Sequence, residues 1–194
     1  MFIFRPGYSL PSRWPRFVSA QQDLRQYFFE LIDQEIENQK RHKNGAVFAK
    51  INSLEDPKII EKLYEASSAG VKIKLLVRGI CCLIPGVENL SENIEVKSIV
   101  GRFLEHTRIF IFNNNSDYRV FLSSADWMQR NFDKRIELLF EVYRQDMKEQ
   151  LYEQVNAYGR DNVKTRILTS KEIYIRPKET KEKFNIQEHL IRSY

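Results

Sequence analysis

Apolar residues follow two rhythms along this chain, a helical period and short runs that are continuous or alternating. Between residues 20 and 42 they recur at Leu24, Tyr27, Phe28, Leu31, Ile32 and Ile36, one face of a long helix. The helix closes on Lys40-Arg41-His42-Lys43. Cations there complement the negative helix end; holding a polyanion is the other use open to them. Asn44-Gly45 then breaks the helix. AVFAKI, over Ala46–Ile51, reads as a short buried strand. Asp56-Pro57 opens a second helix, with Asp as N-cap and Pro at the first position. Ile59, Ile60, Leu63 and Tyr64 face inward, and Gly70 ends it. Val71–Val77 is the next strand. A strand, a helix and a strand within residues 46–77 predict a parallel pair.

Residues 79–93 read as a loop around Pro85-Gly86. Further strands are predicted over Ile94–Ile99, Thr107–Phe112, Tyr118–Ser123 and Arg135–Val142. Asn113-Asn114-Asn115-Ser116-Asp117 is turn chemistry and makes the middle two a hairpin. An amphipathic helix over 145–158 runs through Met147, Leu151, Val155 and Tyr158. Val163–Leu168 and Ile173–Ile175 pair near the end, the charged stretch 177–183 is solvated, and Phe184–Ile191 is a short terminal helix. Residues 1–19, with three prolines, a glycine and several aromatics, read as an irregular arm leading into one domain over 20–194. The arm's aromatics are expected to pack on a neighbouring surface. The whole is α/β, and an open parallel arrangement places its ligands beyond the carboxyl ends of the strands. Lys50, Asn52 and Arg78 are then expected to converge at one edge. Apolar runs also end at Glu105-His106 and at Ser123-Ser124-Ala125-Asp126, which is how strand ends deliver side chains to a phosphate-handling pocket.

A net charge of +5 and a pI near 9.1 favour anionic partners, although a mild cationic excess also serves solubility alone. The only two cysteines, Cys81 and Cys82, are adjacent, so a bridge between them would be strained. They read as small packed hydrophobes, fit a reducing cytosol and are too few for a structural zinc site. No apolar run approaches the roughly 20 residues of a membrane span. Arg5 and Pro6 come too early for a secretion signal. These features lead to an expected cytoplasmic location, with peripheral membrane association left open.

Three runs are distinctive: KINSLEDPKIIEKLYEASSAGVKIKLLVRGICCLIPG, SENIEVKSIVGRFLEHTRIFIF and SADWMQRNFDKRIELLFEV. They closely resemble the last domain of bacterial polyphosphate kinase, and the resemblance extends from about Gly7 to about Leu168. It implies a phospholipase-D-like fold, a mixed β-sheet flanked by helices. In that family two such domains follow one another and face each other across the active site. The first carries the histidine that ATP phosphorylates, so this chain resembles the C-terminal domain alone. The superfamily uses H-x-K, an Asp and G-S-x-N. Here His106-Thr107-Arg108 stands for the first, Asn113 for the Asp, and Ser124-Ala125-Asp126 for S-x-N. The degenerate pattern argues against ordinary phosphodiesterase activity.

By this resemblance Arg78 and His106 contact the phosphates of ATP, with His106 the catalytic candidate as general acid or electrostatic partner. Arg offers a permanently charged planar fork for phosphate, and His a donor or acceptor near neutral pH. Gly79 is expected to let a ligand approach the backbone. Lys50, Asn52, Ser124, Asp126, Arg130 and Asn131 form a second tier along a polyanion path. Asp126 could instead cap the turn at 127–132, and Lys134 and Arg135 could bind phosphate or pair with Asp133 and Glu137. His42 and His189 read as solvated. The implied partners are ATP or ADP, inorganic polyphosphate and the preceding catalytic domain, with a homo-oligomer left open and no specific nucleic acid expected. Mg²⁺ is expected with ATP, its protein ligands in the preceding domain. The other functions considered are a non-catalytic polyanion-binding module and a phospholipase-D-like phosphodiesterase.

Overall fold

The parallel pair predicted within residues 46–77 lies inside a nine-stranded mixed sheet. The structure is a computed structural model that describes residues 17–19, 24–178 and 181–193. The strands are β1 (Phe17–Ser19), β2 (Ala46–Ile51), β3 (Lys72–Val77), β4 (Ile94–Ile99), β5 (Arg108–Phe112), β6 (Arg119–Ser123), β7 (Leu138–Val142), β8 (Thr165–Leu168) and β9 (Tyr174–Ile175). Their order across the sheet is β1-β7-β6-β5-β2-β3-β4-β8-β9. β2, β3 and β4 run parallel, and every other pairing is antiparallel. The carboxyl ends of β2, β3, β4 and β6 therefore share one edge with the amino ends of β5 and β7.

Helices cover both faces: α1 (Leu24–His42) and α2 (Pro57–Ser68) on one, α4 (Gln145–Arg160) and α5 (Ile186–Ser193) on the other, with the short α3 (Gln129–Asp133) beside the edge. The two-residue period of the strands sorts the core between them. Val47, Ala49 and Ile51 of β2, Ile73, Leu75 and Val77 of β3, and Phe110 and Phe112 of β5 meet Phe28, Ile32, Ile59 and Leu63 of α1 and α2. The alternate residues Leu76, Ile109 and Ile111 face the second layer, where Val155, Ala157 and Tyr158 of α4 and Ile186 of α5 cover them. Each fully buried Phe, Leu or Ile stabilises the fold by about 1.5–3 kcal/mol. Lys50 falls on this second face by the same alternation, which puts an ammonium under a helix.

The second helix begins as its sequence requires. The Asp56 carboxylate accepts from the Ile59 N–H at 3.0 Å with Pro57 following, and Arg25 of α1 pairs with the same carboxylate at 2.8 Å. Gly70 ends the turn at φ +94°, a conformation that costs other residues more. At the opposite edge from the strand ends named above, fully buried Glu35 of α1 accepts from the Ala46 N–H at 2.9 Å and the Asn114 N–H at 2.6 Å, with Asn38 also donating. It ties α1 to the start of β2 and to the turn after β5, and burial pushes its carboxyl above the ordinary range.

The arm expected over residues 1–19 is corrected at its end. Phe17–Ser19 form β1, paired antiparallel with Leu138–Phe140; residues 1–16 lie outside the described residues. β7 starts at Leu138 rather than Arg135, because Glu137 turns inward to polar partners. Cys81 packs against the core, where burial pushes its thiol up to about 11, but Cys82 is exposed and is not a packed hydrophobe. Among the described residues, no helix is long and apolar enough to cross a membrane.

Candidate functional site

The shared edge gathers polar side chains because the chain turns polar just past β2, β3 and β6, at Asn52, Arg78 and Ser124. β2 ends at Ile51, and the chain from Asn52 to Asp56 is stitched to two neighbouring ends. The Leu54 N–H donates to the Ile80 carbonyl at 2.8 Å, and the Glu55 and Asp56 N–H groups donate to the Trp127 carbonyl. Trp127 is itself fully buried against Phe28 and Phe110. The backbones after β2, β3 and β6 are thereby locked side by side.

Asp126 is the hub of this edge. It is buried, and its Oδ1 accepts from the backbone N–H of Asn52 at 2.6 Å and of Ser53 at 3.3 Å. Arg108 grips it with both arms, Nε to Oδ1 at 3.2 Å and Nη2 to Oδ2 at 2.9 Å. The N-cap alternative for Asp126 is therefore replaced: α3 starts after Met128 and has no side-chain cap. Arg108 also donates from Nη1 to the His106 carbonyl at 2.8 Å. Arg78, half-buried, donates from Nε to Asn52 Oδ1 at 2.9 Å, and its carbonyl accepts from the Ser98 hydroxyl. The other side of the Asn52 amide, Nδ2, is buried without a partner among the described residues. A buried donor left unpaired costs about 1–3 kcal/mol, so a group that arrives to accept from it gains that much. Gly79 does make a close approach possible, but to Asn52: a Cβ there would stand 3.0 Å from the Asn52 carbonyl, which accepts the Gly79 N–H at 2.8 Å.

Lys50 lies in the same cluster. Its Nζ stands 3.3 Å from Glu105 Oε2 and donates to the Thr107 carbonyl at 3.3 Å, over the Tyr158 ring. Burial lowers the pKa of this ammonium, Glu105 opposes that shift, and the nearby charges of Arg78 and Arg108 add to it. Burial, with help from Glu105, raises the Tyr158 hydroxyl well above its usual range. Three cations thus crowd together around Glu105 and Asp126, and Arg78 alone of the three has no carboxylate partner among the described residues. An arriving anion relieves the repulsion among these cations.

His106 sits at the rim with an exposed imidazole that makes no hydrogen bond among the described residues; only its carbonyl is engaged. Ser124 and Asn131 come together through a third carboxylate. The Ser124 hydroxyl donates to Glu137 Oε2, Asn131 Nδ2 donates to Glu137 Oε1 at 2.7 Å, and the Asn131 Oδ1 is buried without a partner. Arg130 is not joined to the cluster; it is exposed and its Nη2 reaches the Met128 sulfur at 3.6 Å. Arg135 lies 4.0 Å from Glu137, and Asp133 pairs with Arg25. Three participants were not on the sequence-derived set: Arg108, Glu105 and Glu137. Arg108 had a signal, its place in His106-Thr107-Arg108; Glu105 had only its position beside His106.

The family described as polyphosphate kinase C-terminal domain 2 matches residues 17–187. A polyphosphate kinase of Halalkalibacterium halodurans is 55% identical over 160 residues, which cover 82% of this chain and 23% of that protein. The chain thus spans about a quarter of the length of the curated relatives it matches. The crystal structure of polyphosphate kinase from Porphyromonas gingivalis superposes with a TM-score of 0.91 at 38% identity, covering 97% of this chain and 29% of that one. Nuc, a phospholipase D family member from Salmonella typhimurium, superposes at 0.57 over 79% of this chain and 98% of its own, at 14% identity, a likeness of fold. The α/β fold is phospholipase-D-like.

Proposed function

This chain belongs to the polyphosphate kinase C-terminal domain 2 family, and from that premise we propose that its strand-end cluster binds the phosphates of ATP and of polyphosphate during reversible transfer of ATP's terminal phosphoryl group. The observation that supports this reading is the convergence of Arg78, Lys50 and the unpaired Asn52 Nδ2 at one edge, with His106 on the rim. Phosphoryl transfer asks chiefly for positioning and for neutralised charge on the non-bridging oxygens. Arg78 meets that need with its Nε anchored on Asn52, which turns the guanidinium into an oriented fork. Arg108 is committed to Asp126 and acts as scaffold. His106 presents an imidazole that can donate to, or exchange a proton with, a phosphate oxygen.

The phosphorylated histidine belongs to a preceding domain, so the 194-residue chain by itself does not synthesise polyphosphate at a substantial rate. Exposed Ile80, Val100, Leu104 and Ile136 rim the same edge, and they suit coverage by that domain. Mg²⁺ accompanies ATP, but this edge does not fit it as a protein-held ion. Its carboxylates Glu105, Asp126 and Glu137 are engaged by Lys50, Arg108, Ser124 and Asn131, and no group of three potential ligands occurs among the described residues. We place the metal ligands in the preceding domain and the enzyme in the cytoplasm.

Calorimetric titration of the chain with ATP-Mg and with long-chain polyphosphate, at low and high salt, tests this reading. Salt-sensitive binding that Arg78→Ala and His106→Ala both weaken is expected. Binding by the parent that neither substitution alters would place the polyanion elsewhere and overturn the assignment.

A further inference from the structure

The loop that carries His106 has little of its own to fix it. Residues 100–107 form neither helix nor strand, and Val100, Phe103 and Leu104 are exposed. What holds the loop comes from the far end of the chain. Gln187 of α5 is buried; its Oε1 accepts from the Phe103 N–H at 3.0 Å, and its Nε2 donates to the Phe103 carbonyl at 2.9 Å and to Glu105 Oε1 at 2.8 Å. The other oxygen of Glu105 meets Lys50, which also takes the Thr107 carbonyl. Both neighbours of His106 are thus pinned from below while its own side chain is free. Gly101 reserves the space: a Cβ there would stand 2.3 Å from Gln187 Oε1 and 3.0 Å from Nε2. The helix that supplies the amide is fixed in turn, since buried Asp161 accepts the Ile186 N–H at 2.9 Å and Ile186 packs under Tyr158.

We infer that Gln187 is a positioning residue for His106, an amide clamp by which the C-terminal helix sets the loop at the mouth of the polyanion site. The inference rests on the reading of His106 as a phosphate contact. Every polar contact of the Gln187 side chain goes to the loop, so its loss releases Phe103 and one oxygen of Glu105 without touching the sheet beneath.

Amide hydrogen exchange of the ligand-free chain, paired with titration by inorganic tripolyphosphate, tests it. Gln187→Ala is expected to speed exchange of the Phe103 amide about tenfold while β4 and β5 keep their protection. Gly101→Ala, whose methyl displaces the same amide, is expected to act alike, and the double variant no more strongly than Gln187→Ala. Tripolyphosphate binding is expected to weaken about fivefold in Gln187→Ala and to show no further loss when that change is added to His106→Ala. Unchanged loop exchange in Gln187→Ala, or a binding penalty that persists in full in the His106→Ala background, overturns the inference. Failure of the parent chain to bind tripolyphosphate removes the site reading instead, and the exchange measurement then decides the clamp by itself.

Discussion

The two ends of the parallel strands use buried charge in opposite ways. At the amino end, Glu35 is wholly enclosed and its two oxygens are met by backbone N–H groups of Ala46 and Asn114 and by Asn38. Nothing is left over for a ligand. At the carboxyl end, Lys50 and Arg108 hold Glu105 and Asp126, Arg78 has no carboxylate partner among the described residues, and a buried amide nitrogen of Asn52 goes without a partner. The amino end is closed on itself, whereas the carboxyl end leaves a cation and a donor that suit the anion proposed for it. A buried charge therefore signals function only when its surroundings fail to satisfy it.

Substitutions can break that contrast, and Asp126 gives the largest expected effect because it is the one closed element at the open end. Asp126→Ala strands Arg108 and two backbone donors, so a loss of about 3–5 kcal/mol is expected, read as a lower denaturation midpoint. Glu35→Ala at the other end is expected to cost about 2–3 kcal/mol and to leave polyphosphate affinity untouched wherever the chain stays folded. A matching loss of affinity would mean that the two ends are coupled. Arg78→Ala reverses the pattern: about tenfold weaker ATP or polyphosphate binding is expected, the worth of one charge-assisted contact, with stability nearly unchanged. Arg192→Ala, on exposed α5 surface, is the control, and equal effects from the two arginines would misplace the site.

The smallest effect is in pH. Burial raises Glu35 above its ordinary value near 4.5. The stability it contributes is full below that value and is lost as pH rises through the raised one, because the unfolded chain ionises first. Parent stability relative to Glu35→Gln is thus expected to fall as pH rises from about 4 toward neutral. A flat difference in urea midpoints across that range would show that the backbone donors outweigh burial.

The sequence made the strand ends legible because their apolar runs stop abruptly, so Lys50, Asn52 and Arg78 could be placed at one edge from topology alone, while Asp126 came from the motif resemblance with an N-cap role still open. What it concealed were partners. Glu105 meets Lys50 and Gln187, 82 residues from the latter, and no local spacing marks such a pair. Glu137 was absorbed into a strand because RIELLFEV alternates well enough to hide the bend at its start. β1 was missed because three residues after a proline-rich arm carry no periodicity. They are a strand only because β7 offers an edge. Arg130 shows the converse, since a cation beside the motif turned out to stand apart from the cluster.

The contact between Gln187 and Phe103 also has a tempo. A chain grows from its amino end at about 5–20 residues per second, and 81 residues separate His106 from Gln187. Roughly 4–16 seconds therefore pass between the two. By the end of that interval the sheet strands through β9 have been made, but the loop beside them lacks its clamp. The apolar side chains it displays are then free to meet other surfaces, so the first turn of α5 is also the one that ends the loop's period of promiscuity.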